Sequence, residues 1–368
     1  MQKQKGKLVM TGGHAATTAL ATYEAVDKFK WEVCWIGSKR AIEGKRALTI
    51  EFKIFPEYDI KCYSLVAGRL QRKWTMFTLL SLFKIPVGFL HAFFLLINIR
   101  PRAVISFGGF VAFPVVVSAW ILRIPIVLHE QTIAAGLANK YSSYFANKVA
   151  ISRRESGSYF PAEKTVLTGN PVRKEFFSIE RKQKIGSPPT IYATGGSRGS
   201  VKFNEYFFDI VPELVKEFFI IHQCGDLDLH RAQTLKDNLS EKYKRRYKVY
   251  DTIPPDKVPG IFRKADIVIG RSGANTVAEV LAAVRPAIFI PIPWSQHDEQ
   301  TKNARLAVDT GIALIIKQGD LSQELLLETI YEVKKKWLKM INIKSEKIRE
   351  LDKGAATKLV ELAESISG

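Results

Sequence analysis

The chain has 368 residues, of which 46% are hydrophobic and 11% aromatic, so it is long and apolar enough for two packed domains and is not a disordered segment. Its formal net charge of +19 favours anionic partners such as phosphorylated ligands or acidic lipid surfaces. The three cysteines, Cys34, Cys62 and Cys224, are odd in number and lack metal-ligand spacing, which argues against a disulfide scaffold and is typical of a reducing cytosol.

The first half of the chain alternates short apolar runs with helix-length segments. The run KLVMT ends at Gly12, too soon for the hydrophobic region of a signal peptide, so it predicts a first strand. Further strands are predicted at EVCWI, AVISF, PIVLH and KVAIS. The apolar segment from Met76 to Ile99 is interrupted by Lys84 and Pro86, and its uncharged part is shorter than the ~20 residues that span a bilayer.

The second half repeats this alternation, with strands predicted at TIYAT, FIIHQ, YKVY, DIVIG, AIFIP and ALIIK. Strands that alternate with helices indicate parallel sheets covered by helices on both faces. The basic segment RKQKIGSPP at residues 181–189 predicts a linker or the start of a second domain. We therefore expect an α/β protein with two Rossmann-like domains, residues 1–172 and 173–346, and an amphipathic C-terminal helix at residues 347–368.

Each predicted domain opens with a strand, a Thr-Gly-Gly turn and a helix. The first turn, at residues 11–13, is followed by His14, and the second, at residues 194–196, by Ser197. Ligands bind beyond the carboxyl ends of strands in open parallel sheets, where a helix N-terminus offers unpaired N–H groups to a phosphate. Glycine lets the backbone approach that phosphate closely. Taken alone, each turn is equally typical of an ordinary tight strand-to-helix connection.

Four other stretches favour a functional interpretation. SFGGFVAFP (residues 106–114) repeats the strand-Gly-Gly-helix pattern, and HEQTIAAGL (residues 129–137) adds polar residues at the end of a strand. GNPVR (residues 169–173) lies near the domain boundary. GRSGANTVAEV, which begins at residue 270, contains Glu279, a carboxylate that can accept both hydroxyl hydrogen bonds of a ribose. The polar loop at residues 296–300 follows the next strand.

Seven motifs occur in one order along essentially the whole chain: TGGH, SFGGFVAFP, HEQ…GLANK, TGNPVR, TGGSRGS…N, RSGANTVAE and DEQTKNA. In these motifs the sequence resembles the MurG family, glycosyltransferases of family 28. That family transfers N-acetylglucosamine (GlcNAc) from UDP-GlcNAc to undecaprenyl-pyrophosphoryl-MurNAc-pentapeptide (lipid I), which forms lipid II for peptidoglycan synthesis and thus serves cell-wall biogenesis, cell shape and cell division. The resemblance implies a GT-B fold, in which two Rossmann-like domains face each other across a cleft. It also implies that the first domain binds the acceptor and the membrane, that the second binds UDP-GlcNAc, and that the C-terminal helix packs back on the first.

The resemblance assigns roles to individual residues. It implies that Gly195, Gly196 and Ser197 hold the donor diphosphate with Arg173 nearby. Glu279 would bind the ribose, and Gln300 would bind the GlcNAc hydroxyls. The other implied donor contacts are Thr11, Gly12, Gly13, Thr132, Asn204, Ala274, Asn275, Thr276, Val277 and Ala278. The implied acceptor and diphosphate side consists of His14, Gly108, Gly109 and Phe110.

The implied reaction is an inverting attack of a sugar hydroxyl on the anomeric carbon while UDP departs. A base must take the hydroxyl proton, and His14 and Glu130 are both candidates for this catalytic role. Backbone N–H groups at residues 195–197 and the charge of Arg173 would stabilise the departing diphosphate. The sequence has no convincing Asp-x-Asp cluster, and the resemblance implies neither an essential metal nor another cofactor.

A lipid-linked acceptor implies work at a membrane. The segment from Met76 to Arg102 is rich in Phe and Leu, and basic residues flank it at Arg69, Arg72, Lys73, Arg100 and Arg102. An apolar segment with a basic rim favours peripheral association with an anionic surface, here the cytoplasmic face of the plasma (inner) membrane. The alternative is a buried helix with ordinary flanking charges. The segment KYKRRYK at residues 242–248 is interpreted as a basic surface, and no nucleic-acid partner is expected.

The chain departs from the family pattern in four places. In the first loop Val9 and Met10 precede Thr11, where the family usually has more glycines before the histidine. Thr132 stands where the family has asparagine, Phe110 where it often has tyrosine, and Arg198 where it has glutamine. Because these departures fall mostly on the acceptor side, two alternative functions stay open. One is a related GT-B transferase that acts on another membrane lipid, and the other is an isomerase that resembles UDP-GlcNAc 2-epimerase.

Overall fold

The computed structural model describes residues 5–13, 15–40, 48–66, 76–196, 199–342 and 346–367, with backbone only for residues 76–85. The chain forms two compact units, Met1–Arg173 with Leu351–Gly368, and Lys174–Glu350. In the described ranges each unit contains one fully parallel sheet with helices packed against it, which confirms the predicted α/β class with two Rossmann-like domains. That the first domain binds the acceptor and the second binds the donor stays a prediction. Two predicted site residues, His14 and Ser197, lie outside the described residues, as does the motif position Arg198. The same holds for Arg69, Arg72 and Lys73 of the predicted basic rim.

The first unit is built on a seven-stranded sheet within the described ranges. Its strands and helices in chain order are β1 (Gly6–Thr11), α1 (Ala16–Ala25), β2 (Trp31–Gly37), α2 (Ile50–Ile54), β3 (Lys61–Ser64), α3 (Met76–Ile99), β4 (Ala103–Ser106), α4 (Ala112–Ile121), β5 (Ile126–Glu130), α5 (Leu137–Ser142), β6 (Lys148–Ile151) and β7 (Thr165–Leu167). The strand order is β3-β2-β1-β4-β5-β6-β7. Every residue of β4 and β5 is buried, as expected for continuous apolar runs in a sheet covered on both faces.

The second unit has a six-stranded parallel sheet in the part of the chain that is described. Its elements are α6 (Lys174–Phe177), β8 (Thr190–Thr194), α7 (Val201–Glu217), β9 (Phe219–Gln223), α8 (Leu229–Asp237), α9 (Glu241–Lys244), β10 (Tyr247–Tyr250), α10 (Val258–Lys264), β11 (Ile267–Gly270), α11 (Ala274–Ala283), β12 (Ala287–Phe289), α12 (Glu299–Asp309), β13 (Ala313–Ile315), α13 (Gln323–Ile341) and α14 (Glu346–Lys353). The strand order is β10-β9-β8-β11-β12-β13, the doubly wound Rossmann arrangement. Short 3-10 helices lie at Phe55–Tyr58, Arg154–Tyr159, Ala162–Lys164, Gln296–Asp298 and Gln318–Asp320.

The C-terminal helix α15 (Ala355–Ile366) packs in the first unit, against α1 and β5. Its buried face, Leu359, Val360 and Ala363, joins the apolar core that contains β1 and α1. A buried ion pair precedes this helix, in which Asp352 accepts from Arg153 at 2.6 and 2.7 Å. The end of the chain is thus fixed to the first unit by both apolar packing and a buried charge pair.

The predicted linker at residues 181–189 is held on the second unit. Asp266, almost fully buried, accepts from the Lys182 ammonium (2.7 Å), from Gly186 N (3.2 Å) and from Thr190 N (2.8 Å). These bonds fix the approach to β8, so this segment leads directly into the second sheet. Among the described residues, no helix is both long and apolar enough to span a membrane.

The contact between β8 and β11 gives a stability prediction. A Cβ at Gly270 would strike the Thr194 carbonyl group, with its carbon at 3.2 Å, so Gly270→Ala should force two core strands apart. We expect a loss of roughly 2 kcal/mol in the free energy of unfolding, measured by urea titration. Gly260→Ala in α10 is the matched control, because its Cβ meets no atom within 4 Å. That helical substitution should be neutral or stabilising by up to about 1 kcal/mol, and equal losses in both variants would contradict the prediction.

Candidate functional site

Both predicted glycine turns follow strands at the switch point of their sheet, where the order of winding reverses. In the first unit β1 lies between β2 and β4, and Thr11 is in register with Ser106. In the second unit β8 lies between β9 and β11, and Thr194 is in register with Gly270. Open α/β sheets bind ligands in the crevice beyond the strands at this point. The topology therefore assigns one candidate ligand site to each unit.

The two glycine pairs of the first unit interlock. Gly13 N donates to Gly108 O at 2.9 Å, and a Cβ on Gly109 would lie 3.1 Å from Gly13 N. Gly108 and Gly109 have φ values of +80° and +87°, a conformation that favours glycine. The structure thus brings together the predicted pairs at residues 12–13 and 108–109, and the half-exposed Phe110 follows directly.

Glu130 is the centre of the loop that follows β5. Its Oε1 accepts from the Thr132 N–H (3.0 Å) and hydroxyl (2.7 Å), and its Oε2 accepts from Gly136 N (3.1 Å) and the Asn139 amide (2.8 Å). Burial raises the pKa of Glu130, and these four donors oppose the shift. Both carboxylate oxygens are therefore occupied by the loop itself, an arrangement typical of a residue that positions its neighbours. Thr132, a predicted donor contact, directs its hydroxyl to Glu130 and to Ala134 O.

The helix after the first glycine turn is already capped by a carboxylate. Ala15 N, at the N-terminus of α1, donates to Glu51 Oε1 at 3.0 Å, although the two residues are 36 positions apart. Glu51 is 4% exposed, and burial raises its pKa. The Glu51 side chain therefore occupies the N–H group of Ala15, which is not open to a ligand.

The glycine turn of the second unit combines tight packing with open space. A Cβ on Gly195 would lie 2.5 Å from the Gly199 carbonyl carbon, so the turn folds closely on itself. Gly196 has φ of +82°, and a Cβ there would meet nothing within 4 Å. Gln223, at the end of β9, fixes the turn by donating from Nε2 to Gly196 O at 2.8 Å. The space beside Gly196 is therefore open to a ligand, while its own N–H donates to the Thr194 hydroxyl at 3.0 Å.

Asn204, a predicted donor contact, is fully buried beneath this turn. Its amide nitrogen donates to Cys224 O (2.7 Å) and to Asp228 Oδ2 (2.6 Å), and its oxygen lies 3.1 Å from His222 Nε2. The other ring nitrogen of His222 lies 2.9 Å from the Tyr247 hydroxyl. Since the Asn204 oxygen can only accept, His222 carries its proton on Nε2. Asn204 therefore contributes by holding α7 against β9, and its contact with the donor stays a prediction.

The remaining predicted donor residues lie around the start of α11. Ala274, Asn275 and Thr276 form its half-buried first turn, whereas Val277, Ala278 and Glu279 are buried. A Cβ on Gly273, the N-cap residue, would meet nothing within 4 Å. Gln300 ties this region to the loop after β12, because its side-chain oxygen accepts from Ile292 N (3.1 Å) and its carbonyl from the Ser272 hydroxyl (2.8 Å).

Arg173, the predicted diphosphate cation, forms an ion pair within the first unit. Its Nη2 lies 2.7 Å from Glu24 Oε1, and both side chains are largely buried. The carboxylate offsets the charge that the sequence analysis assigned to the donor phosphates, and the role of Arg173 at the donor stays a prediction. Across the described residues, no group of three His, Cys, Asp or Glu side chains forms a metal-binding cluster.

The sequence analysis missed three residues that organise these turns: Glu51, Gln223 and Arg271. Gln223 and Arg271 both stand at the carboxyl end of a predicted strand, the position that signals a site in a parallel sheet. Glu51 has no such signal, because only the tertiary fold brings it to Ala15.

An apolar stripe is exposed on the first unit. Val87, Leu90, Phe94 and Ile97 recur along one side of α3, with exposed fractions between 42% and 63%. Trp120 and Ile121 extend the exposed apolar surface onto the end of α4, which packs against α3 through the Phe89 and Phe113 rings (centroids 6.0 Å apart). Exposed arginines lie near the ends of both helices, at Arg100, Arg102 and Arg123. Contiguous exposed apolar surface of this kind is typical of interaction sites.

The buried His222 gives a prediction on pH. Burial lowers its pKa to about 3 from 6.5, so the ring should stay neutral from about pH 8 to about pH 5. The unfolded chain binds the proton more readily, so stability is full above pH 6.5 and falls with decreasing pH, by up to about 1.4 kcal/mol per unit from this group. Nitrogen-15 NMR should show the Nε2–H tautomer throughout, with the resonance assigned by its loss in His222→Gln. A titration midpoint near 6.5 for the His222 resonance would contradict the prediction.

Comparison with known proteins identifies the family. Residues 10–151 match the glycosyltransferase family 28 N-terminal domain, and residues 190–360 match the family 28 C-terminal domain. A relative named UDP-N-acetylglucosamine–N-acetylmuramyl-(pentapeptide) pyrophosphoryl-undecaprenol N-acetylglucosamine transferase, from Clostridium perfringens, is 34% identical over 351 residues, which cover 92% of this chain and 93% of that protein. A Treponema denticola protein of the same name is 31% identical over 338 residues, 88% and 86% of the two chains. The crystal structure of Acinetobacter baumannii MurG has the same fold, with a TM-score of 0.66 and 24% identity over 98% of this chain and 99% of that one. The resemblance predicted from the seven motifs is confirmed, and the chain belongs to glycosyltransferase family 28.

Proposed function

We propose that this enzyme transfers GlcNAc from UDP-GlcNAc to undecaprenyl-pyrophosphoryl-MurNAc-pentapeptide, and so forms the lipid-linked disaccharide used in peptidoglycan synthesis. The observation that carries the proposal is the glycine turn at the switch point of the second sheet, with open space beside Gly196 and Gly273. Backbone N–H groups in such a turn, next to a helix N-terminus, suit a diphosphate. The names of the curated relatives supply the sugar and the acceptor.

The donor is assigned to the second unit. Glu279, one turn and a half into α11, provides the carboxylate that accepts hydrogen bonds from the ribose hydroxyls. Gln300, fixed by Ile292 N and Ser272, provides the amide for the GlcNAc hydroxyls. The half-buried first turn of α11 leaves room for the nucleotide beside Ala274 and Thr276.

The proposed reaction is a single displacement with inversion. A bond forms between the acceptor hydroxyl oxygen and the anomeric carbon, while the bond from that carbon to the diphosphate oxygen breaks. The electron pair leaves with UDP, and the hydroxyl proton passes to a base. Catalysis then needs a base at the acceptor and fixed positive charge or N–H dipoles at the diphosphate.

We assign the base to His14 and a positioning role to Glu130. Both Glu130 oxygens accept hydrogen bonds from residues 132–139, and the side chain is 2% exposed, which argues against contact with a sugar hydroxyl. Glu130 instead fixes the loop next to the interlocked glycine turns. His14 follows Gly13 in sequence, and imidazole is the side chain that most often serves as a general base.

A transfer assay tests the function. The protein is incubated with labelled UDP-GlcNAc and lipid I in detergent, and the lipid extract is assayed for label. We expect label in the disaccharide lipid and at least a roughly tenfold weaker UDP-GlcNAc affinity in Glu279→Ala, because the ribose hydroxyls lose their acceptor. Gln323→Ala, at an exposed position on α13, is the control that should bind donor normally. Label only in another lipid would contradict the acceptor, and free ManNAc without any acceptor would indicate an epimerase.

We also propose that the exposed apolar stripe at Val87, Leu90, Phe94 and Ile97 contacts an anionic membrane surface. Its support is the combination of exposed apolar area with Arg100, Arg102 and Arg123, which allows shallow insertion together with attraction to acidic headgroups. A lipid-linked acceptor needs such a surface, so the enzyme would act as a peripheral protein at the cytoplasmic face of the plasma membrane.

Vesicle sedimentation tests the membrane contact. Leu90→Asp with Phe94→Asp removes two side chains that are 60% and 63% exposed, so the folded core is spared. We expect binding to phosphatidylglycerol vesicles to fall roughly tenfold or more, since each buried apolar side chain contributes about 1.5–3 kcal/mol. The matched control is Leu227→Asp with Leu338→Asp in the second unit, at positions 73% and 58% exposed. Equal loss in both pairs would refute the assignment of the stripe.

A further inference from the structure

Arg271 is a buried guanidinium at the switch point of the second sheet. It directly follows β11 and is 5% exposed. Its Nε and Nη2 donate to the Ser200 hydroxyl at 2.9 and 2.7 Å, Nη1 donates to Ile290 O at 2.8 Å, and Nη2 donates to Gln318 Oε1 at 2.7 Å. All of its acceptors are neutral.

This charge lacks a counterion within the described residues, since no Asp or Glu oxygen there lies within 4.0 Å of the guanidinium. Arg153 is paired with Asp352 at 2.6 Å and Arg173 with Glu24 at 2.7 Å, whereas Arg285, 1% exposed, donates to backbone carbonyl oxygens. Burial lowers the pKa of Arg271 to about 10, which leaves it fully protonated at neutral pH. Neutral acceptors alone can hold a buried guanidinium, as they do for Arg285 between α11 and β12. Arg271 differs because it follows the carboxyl end of a strand, the edge of a parallel sheet where an anionic ligand can approach.

The unpaired charge stands directly behind the glycine turn. Gly270 is in register with Thr194, so Arg271 and Gly195 take equivalent positions beyond two neighbouring strands. Ser200, which accepts from Arg271, is the N-cap of α7 and also accepts from Phe203 N. Gly195 is packed on the backbone of residues 199–200. One hydroxyl thus links the buried cation to the turn and to the helix N-terminus that follows it.

We propose that Arg271 is an electrostatic positioning residue for the donor diphosphate. The described part of the protein places no carboxylate next to Arg271, and the negative charge of the diphosphate serves as its counterion. The inference rests on the proposed function, because it takes the anion at this turn to be the diphosphate of UDP-GlcNAc. Arg271 holds the glycine turn in place through its hydrogen bonds to Ser200. Its positive charge also stabilises the negative charge that develops on UDP as the bond to the sugar breaks. At the glycine turn of the first unit, the buried side chain is acidic rather than basic, namely Glu51.

Gln318→Glu is the decisive variant, because it neutralises Arg271 without removing it. The side chain keeps its size and its 2.7 Å bond to Nη2, but it becomes a carboxylate that pairs with the guanidinium. A purely structural Arg271 would be held as well or better by this pair. An Arg271 that serves the diphosphate would lose its effect, because the counterion is now internal. Gln323→Glu, at an exposed position on α13, makes the same charge change away from the site and is the control.

The experiment measures UDP and uridine affinity by calorimetry, together with the melting temperature without ligand. For Gln318→Glu we expect an unchanged or raised melting temperature, UDP affinity lower by roughly tenfold, and uridine affinity within about twofold of the unsubstituted protein. Unchanged UDP affinity would overturn the proposal, and so would an equal loss for UDP and uridine, since that indicates a changed pocket shape.

A second pair keeps the proposal testable if Gln318→Glu does not fold. Arg271→Lys keeps the charge and Arg271→Gln removes it, while both lose the forked bonds to Ser200. The ratio of UDP to uridine affinity should be higher in the lysine variant, and equal ratios would overturn the proposal. Failure of the proposed function has a different signature, in which the unsubstituted protein itself binds neither UDP nor UDP-GlcNAc.

Discussion

The parallel pairing of β8 with β11 is the constraint on which the donor-side geometry depends. The two strands approach closely because residue 270 is glycine, and any Cβ there would strike the Thr194 carbonyl group. The same pairing brings Arg271 to Ser200, and the backbone at residues 199–200 packs on Gly195. One strand pair therefore fixes the turn, the capping hydroxyl and the buried cation relative to one another.

The two Thr-Gly-Gly turns share a backbone design and differ in the charge buried behind them. Glu51 caps α1 after the first turn, and Arg271 holds the N-cap Ser200 of α7 after the second. A guanidinium with only neutral acceptors favours an anion, whereas the Glu51 side chain occupies a helix N–H group that an anion would otherwise use. The repeated sequence thus leads to two turns with different buried groups behind them. In our proposal the donor diphosphate binds at the second turn.

The sequence predicted most of the strands and the motifs at their ends, but few of the contacts between segments that are distant in the chain. Apolar runs such as AVISF and DIVIG located buried strands because a parallel sheet buries both faces of each strand. The glycine motifs could be recognised in the sequence because a larger side chain does not fit at positions such as Gly108, where a Cβ would strike the Asn139 side chain. Three buried polar contacts join residues that are far apart in the sequence. Ala15 and Glu51 are 36 residues apart, Arg173 and Glu24 are 149 apart, and Arg153 and Asp352 are 199 apart. No local sequence pattern predicts such pairs.

Polar residues at the ends of these strands fall into two classes that look alike in sequence. Glu130 and Asn204 have their hydrogen-bonding atoms occupied by neighbouring protein groups, so they hold loops in place. Arg271 is also hydrogen-bonded, but only by neutral acceptors, so its charge can still pair with an anion from outside. In our proposal a bound diphosphate supplies that counterion to the folded state alone and so stabilises it. Donor affinity and the stability of the second unit are then coupled through one side chain.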